Sequence, residues 1–170
     1  MIQILGLREF VDKETGEVKL YDSHFNNGWR AESVPELFKN IDSYIEKIPE
    51  DKRWNMFYTL ADCEERKGRV FQTQEILPID IDGIKHGEEQ AVVECVLQEL
   101  DLPEDKVGIV YSGNGVHILI QLPQPFTDVS FFKTNKVYYK ALCGRINHSL
   151  FQSGLAGSAD TTAFSRGRIF

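Results

Sequence analysis

The apolar and polar positions of the chain divide it into short strand-like runs and three helices of amphipathic spacing. Residues 2–10 and 17–25 read as strands. The polar, Gly-containing stretch Asp12-Lys13-Glu14-Thr15-Gly16-Glu17 between them predicts a hairpin turn. After the loop Gly28-Trp29-Arg30-Ala31, Ser33-x-x-Glu36 forms a capping box with Pro35 in the first turn. Leu37, Ile41, Tyr44 and Ile45 then recur at helical spacing until Ile48-Pro49-Glu50-Asp51 ends the helix. Residues 55–60 read as a buried strand, Asp62 to Gly68 as a charged loop, and Arg69-Val70-Phe71 leads into the run Glu75–Ile84. A helix over 88–100 presents Val92, Val93, Val96, Leu97 and Leu100, and Pro103 stops it. Strands over 107–111 and 116–122 flank Ser112-Gly113-Asn114-Gly115. A long helix from about Val129 to Phe151 carries Phe132, Tyr139, Leu142, Ile146 and Leu150, and the tail to Asp160 is extended.

From residue 55 the order is strand, strand, helix, strand, strand, helix, strand. This predicts an α+β fold with helices on one face of a sheet, close to the split βαβ class. With 170 residues the chain is long enough for one domain with a real core. No repeat or linker marks an internal boundary, so residues 1–170 read as a single domain. The apolar pair at the C-terminus, with no turn after it, reads as part of a longer polypeptide.

Within the run Glu75–Ile84, Asp80 and Asp82 stand two apart, so on a strand they share a face while Ile79 and Ile81 serve the other. Two carboxylates on a largely buried strand repel each other and lose hydration unless a cation lies between them. Mg²⁺ or Mn²⁺, held by one or two carboxylates and substrate phosphates, removes that cost. A strand running out into an acidic turn at Asp82-Gly83 is the plainer alternative. Pro78 cannot donate in a ladder, so the strand must begin there, bulge, or run at an edge.

The segment Ser112–Gly115 is at least a hairpin turn, signalled by Asn114-Gly115. A Gly-rich turn also lets backbone N–H groups approach phosphate oxygens, and His117, opposite in facing to Val116 and Ile118, could donate to the same oxygens. Asp160 follows the small residues Ala156-Gly157-Ser158-Ala159 and could supply a third carboxylate to a two-metal site. Arg166 and Arg168 suit bidentate phosphate contact, or form an exposed strand end. Lys133, Lys136 and Lys140 share one helix face, which is either solvated or a nucleic-acid contact.

Composition narrows the partners. The formal charge of −7 excludes a polybasic non-specific nucleic-acid binder, yet it allows a nucleic-acid enzyme whose carboxylates hold metal. Cys63, Cys95 and Cys143 are odd in number and widely spaced, which fits a reducing cytoplasm and gives no structural zinc pattern. No run approaches membrane-spanning length, so no membrane partner is expected.

The motifs Leu77-Pro-Ile-Asp80-Ile-Asp82, Ser112-Gly-Asn-Gly-Val-His117-Ile and Ser158-Ala-Asp160, in this order, resemble those of the archaeo-eukaryotic primase superfamily, and most closely its phage and plasmid primases. The likeness covers about residues 55–170, with Ser165-Arg166-Gly167-Arg168 standing where the family carries downstream basic residues. It implies a primase-like catalytic core, an RRM-like antiparallel sheet with packed helices, preceded by a hairpin–helix unit over 1–54. It implies that Asp80, Asp82 and Asp160 hold two Mg²⁺ or Mn²⁺ ions. His117 with Ser112, Gly113, Asn114 and Gly115 would bind the triphosphate of a nucleoside triphosphate, aided by Arg166 and Arg168. The implied activity is template-directed nucleotidyl transfer on single-stranded DNA during replication, with a fused or partner helicase, in a bacterial or phage-infected cytoplasm. A non-synthesising replication-initiator or DNA-binding module of the same fold, and a DxD-type nucleotide-sugar transferase, are the alternatives.

Overall fold

In the computed structural model the described residues are 2–11, 14–15, 18–22, 29–31, 33–47, 55–59, 61–63, 71–113, 115–128 and 130–165. The chain divides into two compact units, Met1–Thr73 with Gly167–Phe170, and Gln74–Arg166.

In the first unit β1 (Ile2–Val11) and β2 (Val18–Asp22) form the expected antiparallel hairpin, Val11 opposite Val18. β3 (Trp29–Ala31) and β4 (Asn55–Thr59) also pair antiparallel with β1, in registers from Ile2↔Ala31 and Gln3↔Thr59. Helix α1 (Val34–Lys47) begins where the capping box predicts, with the Glu36 N–H donating to Ser33 Oγ at 3.3 Å. β5 (Ala61–Cys63) follows β4. The strand at residue 55 thus joins the N-terminal sheet rather than the sheet that carries the aspartates, and the division between the two compact units falls inside β6.

The second unit runs β6 (Phe71–Asp82), α2 (Glu89–Leu100), a 3₁₀ turn (Glu104–Lys106), β7 (Val107–Tyr111), β8 (Gly115–Phe126), α3 (Ser130–Gln152) and β9 (Ser158–Ala159). Its strands lie in the order β9-β6-β8-β7, each antiparallel to its neighbour. With one helix in each crossover, this is the split βαβ arrangement.

Antiparallel partners share a face, so the register sorts the side chains. Ile79↔Ile118 and Ile81↔Val116 face one way, all four fully buried, and Tyr111, opposite Val116, reaches Gln90 on α2. That face is therefore the one the helices cover. α2 buries Val92, Val93, Val96 and Leu97 as its spacing predicts, while the expected Leu100 at its last turn is only half-buried. α3 buries Phe132, Tyr139, Cys143, Ile146 and Leu150, while the expected Leu142 is only half-buried. At about 100° per residue Cys143 falls within the stripe of buried positions, whereas Leu142 falls roughly 40° outside it. The two helices are tied by Glu99, whose carboxylate accepts from Arg145 Nε at 2.9 Å and Ser149 Oγ at 2.5 Å.

β8 runs four residues beyond the predicted Leu122. Between the pairs Ile76↔Gln121 and Gln74↔Phe126 the register shifts, leaving the four residues Leu122–Pro125 opposite the single Glu75. A bulge needs no regular donors, so Pro123 and Pro125 are tolerated there. The Gln74 side chain spans the irregularity by donating to the Ile76 carbonyl at 2.7 Å.

Candidate functional site

The candidate residues gather where β9, β6 and β8 meet. Asp80 is the partner of His117, and the Asp160 N–H, next in register after Ala159↔Ile81, donates to the Asp80 carbonyl at 2.7 Å. Asp160, Asp80 and His117 therefore follow one another in a single row across three strands. One step nearer the strand ends, Ser158, Asp82 and Gly115 form a second row on the same face.

In the inner row Asp80 and His117 are 5% and 7% exposed, and His117 Nε2 lies 3.6 Å from Asp80 Oδ1. Both oxygens of Asp160 engage Thr162, whose N–H and hydroxyl donate to Oδ1 at 2.7 and 2.8 Å. This is an Asx-type turn written in Asp160-Thr161-Thr162. Phe164, two residues on, anchors the turn among the rings of Phe126, Phe131, Phe132 and Tyr139, with centroids 5.1–6.1 Å apart. Asn147 on α3 accepts from the Ala159 N–H at 2.7 Å, which fixes the short β9 from its other side.

Pro78 is accommodated on the side of β6 away from β8. The Asp80 carbonyl points toward β9, so by the alternation of an antiparallel ladder the missing N–H of Pro78 lies on that same side, past the end of the two-residue β9. No bond to β8 is lost there. The Pro78 carbonyl accepts instead from the Tyr139 hydroxyl at 2.8 Å. Burial, chiefly, pushes the Tyr139 phenol far above its ordinary pKa, so it remains a donor. Burial raises the neighbouring Cys143 thiol as well.

In the outer row Asp82 is exposed, and Gly115 has a structural duty. A Cβ at Gly115 would collide with the Ile81 carbonyl oxygen, so only glycine allows β8 this close to β6. Ser112 and Gly113 are exposed in the turn, which closes with the Ser112 N–H on the Gly115 carbonyl at 3.0 Å, and Gly113 takes φ +82°. Asn114, Arg166 and Arg168 lie outside the described residues. Lys133, Lys136 and Lys140 are all exposed on α3 and flank Val137, itself 72% exposed.

Asp80 and Asp82 supply hard oxygen donors of the kind that hold Mg²⁺ or Mn²⁺ with substrate phosphates, so the donor chemistry fits such an ion. Among the described residues, no three His, Cys, Asp or Glu side chains come together as a group that could hold a metal. The backbone brings Asp160 beside Asp80, but its carboxylate is satisfied by Thr162. Sequence reasoning missed Thr162, Tyr139 as a polar partner, and Phe164. Asp-x-Thr after a run of small residues was the available signal for the first. Among the described residues no helix is long and apolar enough to cross a membrane.

Comparison of the chain with protein-family models, curated proteins and solved structures found no match.

Proposed function

We propose that the unit Gln74–Arg166 is the catalytic core of a primase or primase-polymerase of the archaeo-eukaryotic superfamily, extending a strand from nucleoside triphosphates on a single-stranded DNA template. The observation that carries this reading is the row Asp160–Asp80–His117 across β9, β6 and β8, which draws one side chain from each of the three sequence motifs. A two-residue β9 and a glycine-only contact at position 115 serve to bring those motifs into register.

In this reading Asp80 and Asp82 hold Mg²⁺ or Mn²⁺ together with the phosphates of the incoming nucleotide. The ion, when bound, neutralises phosphate charge and polarises the phosphoryl oxygens. His117 presents an imidazole from the adjacent strand toward the same phosphates, and the buried surroundings strengthen its hydrogen bonds. Thr162 holds Asp160 in one orientation next to Asp80. The chain contributes placement and charge compensation, and the phosphoryl chemistry needs little more.

The test is binding of a labelled nucleoside triphosphate with Mn²⁺ or Mg²⁺ to wild type, Asp80→Ala, Asp82→Ala and His117→Ala, each checked for folding by circular dichroism. Metal-dependent binding that each substitution weakens by about tenfold or more supports the reading. Absence of binding in the wild type, or folded variants that bind normally, overturns it.

A second reading, a DNA-binding module of the same fold without synthesis, is favoured by one observation, the engagement of both Asp160 oxygens by Thr162. Single-stranded DNA binding that ignores Asp80→Ala and Asp82→Ala, without metal-dependent nucleotide binding, would select it.

A further inference from the structure

Beyond Gly115 and the exposed Asp82, where the strands end, a cleft of about 440 Å³ opens between the start of α2 and the β7–β8 turn. Ile84, Gln90 and Tyr111 form its walls, with glycines 87, 113 and 115 between them. That volume is within the range of small-molecule sites. Gly115 is both a wall of the cleft and the register partner of Asp82, so the cleft abuts the outer row around the end of the sheet.

Tyr111 gives the cleft its chemistry. The residue is 54% exposed. The ring is nevertheless held: its backbone is paired with Val116, and its hydroxyl donates to Gln90 Oε1 at 2.9 Å. The Gln90 amide in turn donates to Glu94 Oε1 at 3.1 Å, which fixes the carboxamide on α2. An exposed ring already ordered at both ends loses little rotamer freedom when a flat ligand stacks on it. Gly87 and Gly113 add no side chains to the cleft, so backbone forms part of its wall. Glu89 lines the cleft beside His86, with 3.4 Å between His86 Nδ1 and Glu89 Oε1, and its carboxylate disfavours a phosphate inside.

We infer that this cleft takes a nucleobase stacked on Tyr111. The inference rests on the nucleotide-binding reading for the source of that base, either the incoming nucleoside triphosphate or the single-stranded template. Phosphates stay outside, toward Asp82, and the base occupies the space between Tyr111 and Ile84.

The experiment compares wild type, Tyr111→Ala and Tyr111→Phe on two pairs of probes. The first pair is a nucleoside triphosphate and inorganic tripolyphosphate, each with Mn²⁺. The second is a single-stranded DNA oligonucleotide and its abasic counterpart. Loss of a stacked base weakens binding by roughly tenfold. The expected result is that loss for Tyr111→Ala on one base-bearing probe, no change on its base-free counterpart, and near-wild-type binding for Tyr111→Phe, which keeps the ring. If the affected probe is the triphosphate, the base belongs to the nucleotide; if the oligonucleotide, to the template. A Tyr111→Ala effect equal on base-bearing and base-free probes, or no effect on any, overturns the inference while metal-dependent triphosphate binding leaves the primase reading standing. If wild type binds no triphosphate but loses base-dependent oligonucleotide binding on Tyr111→Ala, the primase reading fails and the base site stands. Wild type that binds neither base-bearing probe overturns both.

Discussion

The inner row Asp160–Asp80–His117 and the outer row Ser158–Asp82–Gly115 lie one pleat apart on the same face, yet they are built on opposite terms. The inner-row groups are already engaged, Asp80 and His117 buried against each other and the half-buried Asp160 by Thr162. The outer row offers one exposed carboxylate beside a glycine that has no side chain to offer. A site that must receive a ligand needs both kinds of row. In the proposed reading the inner one fixes geometry before binding, and the outer one leaves room for the ligand to arrive.

Substitutions can break that contrast in order of severity. Gly115→Ala places a methyl group against the Ile81 carbonyl, which is backbone and cannot turn aside. It should cost about 3 kcal/mol, seen as a lower urea midpoint. Asp80→Asn should cost about 2 kcal/mol, because it leaves His117 facing an amide in a buried place, whereas Asp82→Asn should stay within about 0.5 kcal/mol. Equal losses for the two aspartates would erase the distinction between the rows.

Tyr139→Phe tests what supports the inner row at the strand edge. Removing the hydroxyl leaves the Pro78 carbonyl without that donor and should cost about 1 kcal/mol. Its pH dependence has a definite sign. Below the ordinary tyrosine pKa of 10.0 the folded and unfolded chains both keep the proton, and the stabilisation is complete. As pH rises above that value the unfolded chain releases the proton while folded Tyr139 keeps it, so stability falls. Urea titrations at about pH 8 and about pH 11 should show a smaller decline for Tyr139→Phe than for wild type.

The smallest effect is expected away from both rows. Glu99 is held below the ordinary carboxylate range, first by its bond from Ser149 and next by Arg145. Its contribution is present above the ordinary value of 4.5 and fades as pH falls through the lowered one. Glu99→Gln should flatten part of the acid-side fall in melting temperature and leave the neutral-pH nucleotide affinity unchanged. A change in affinity would mean that the α2–α3 link reaches the rows.

Much of this was legible in the sequence for reasons of periodicity. A repeat of two puts Asp80 and Asp82 on one face whatever the partners, and Asn114-Gly115 fixes a tight turn. The capping box at Ser33 and the apolar stripe of α2 are equally local. What stayed hidden was pairing. The apolar run at residue 55 signals burial but not that β1 will be its neighbour, and Pro123 disguises the continuation of β8 across a bulge. Tyr111 and Gln90 lie far apart in the chain and meet only when register and crossover are known. Tyr139 was read from spacing as a core residue, which it is, but spacing cannot say that its hydroxyl completes the edge beside Pro78.

The two-residue β9 has a kinetic consequence. So short a strand is paired to β6 by only two residues, so it can open ahead of the rest of the sheet once Asn147 on α3 and the Phe164 anchor release it. Local openings of this kind cost far less than global unfolding. The amide protons of Ala159 and Asp160 should therefore exchange with solvent sooner than those of Ile79 and Ile118, and a ligand that needs Asp160 beside Asp80 should slow them selectively. Exchange at these two amides would thus clock how often Asp160 lies beside Asp80.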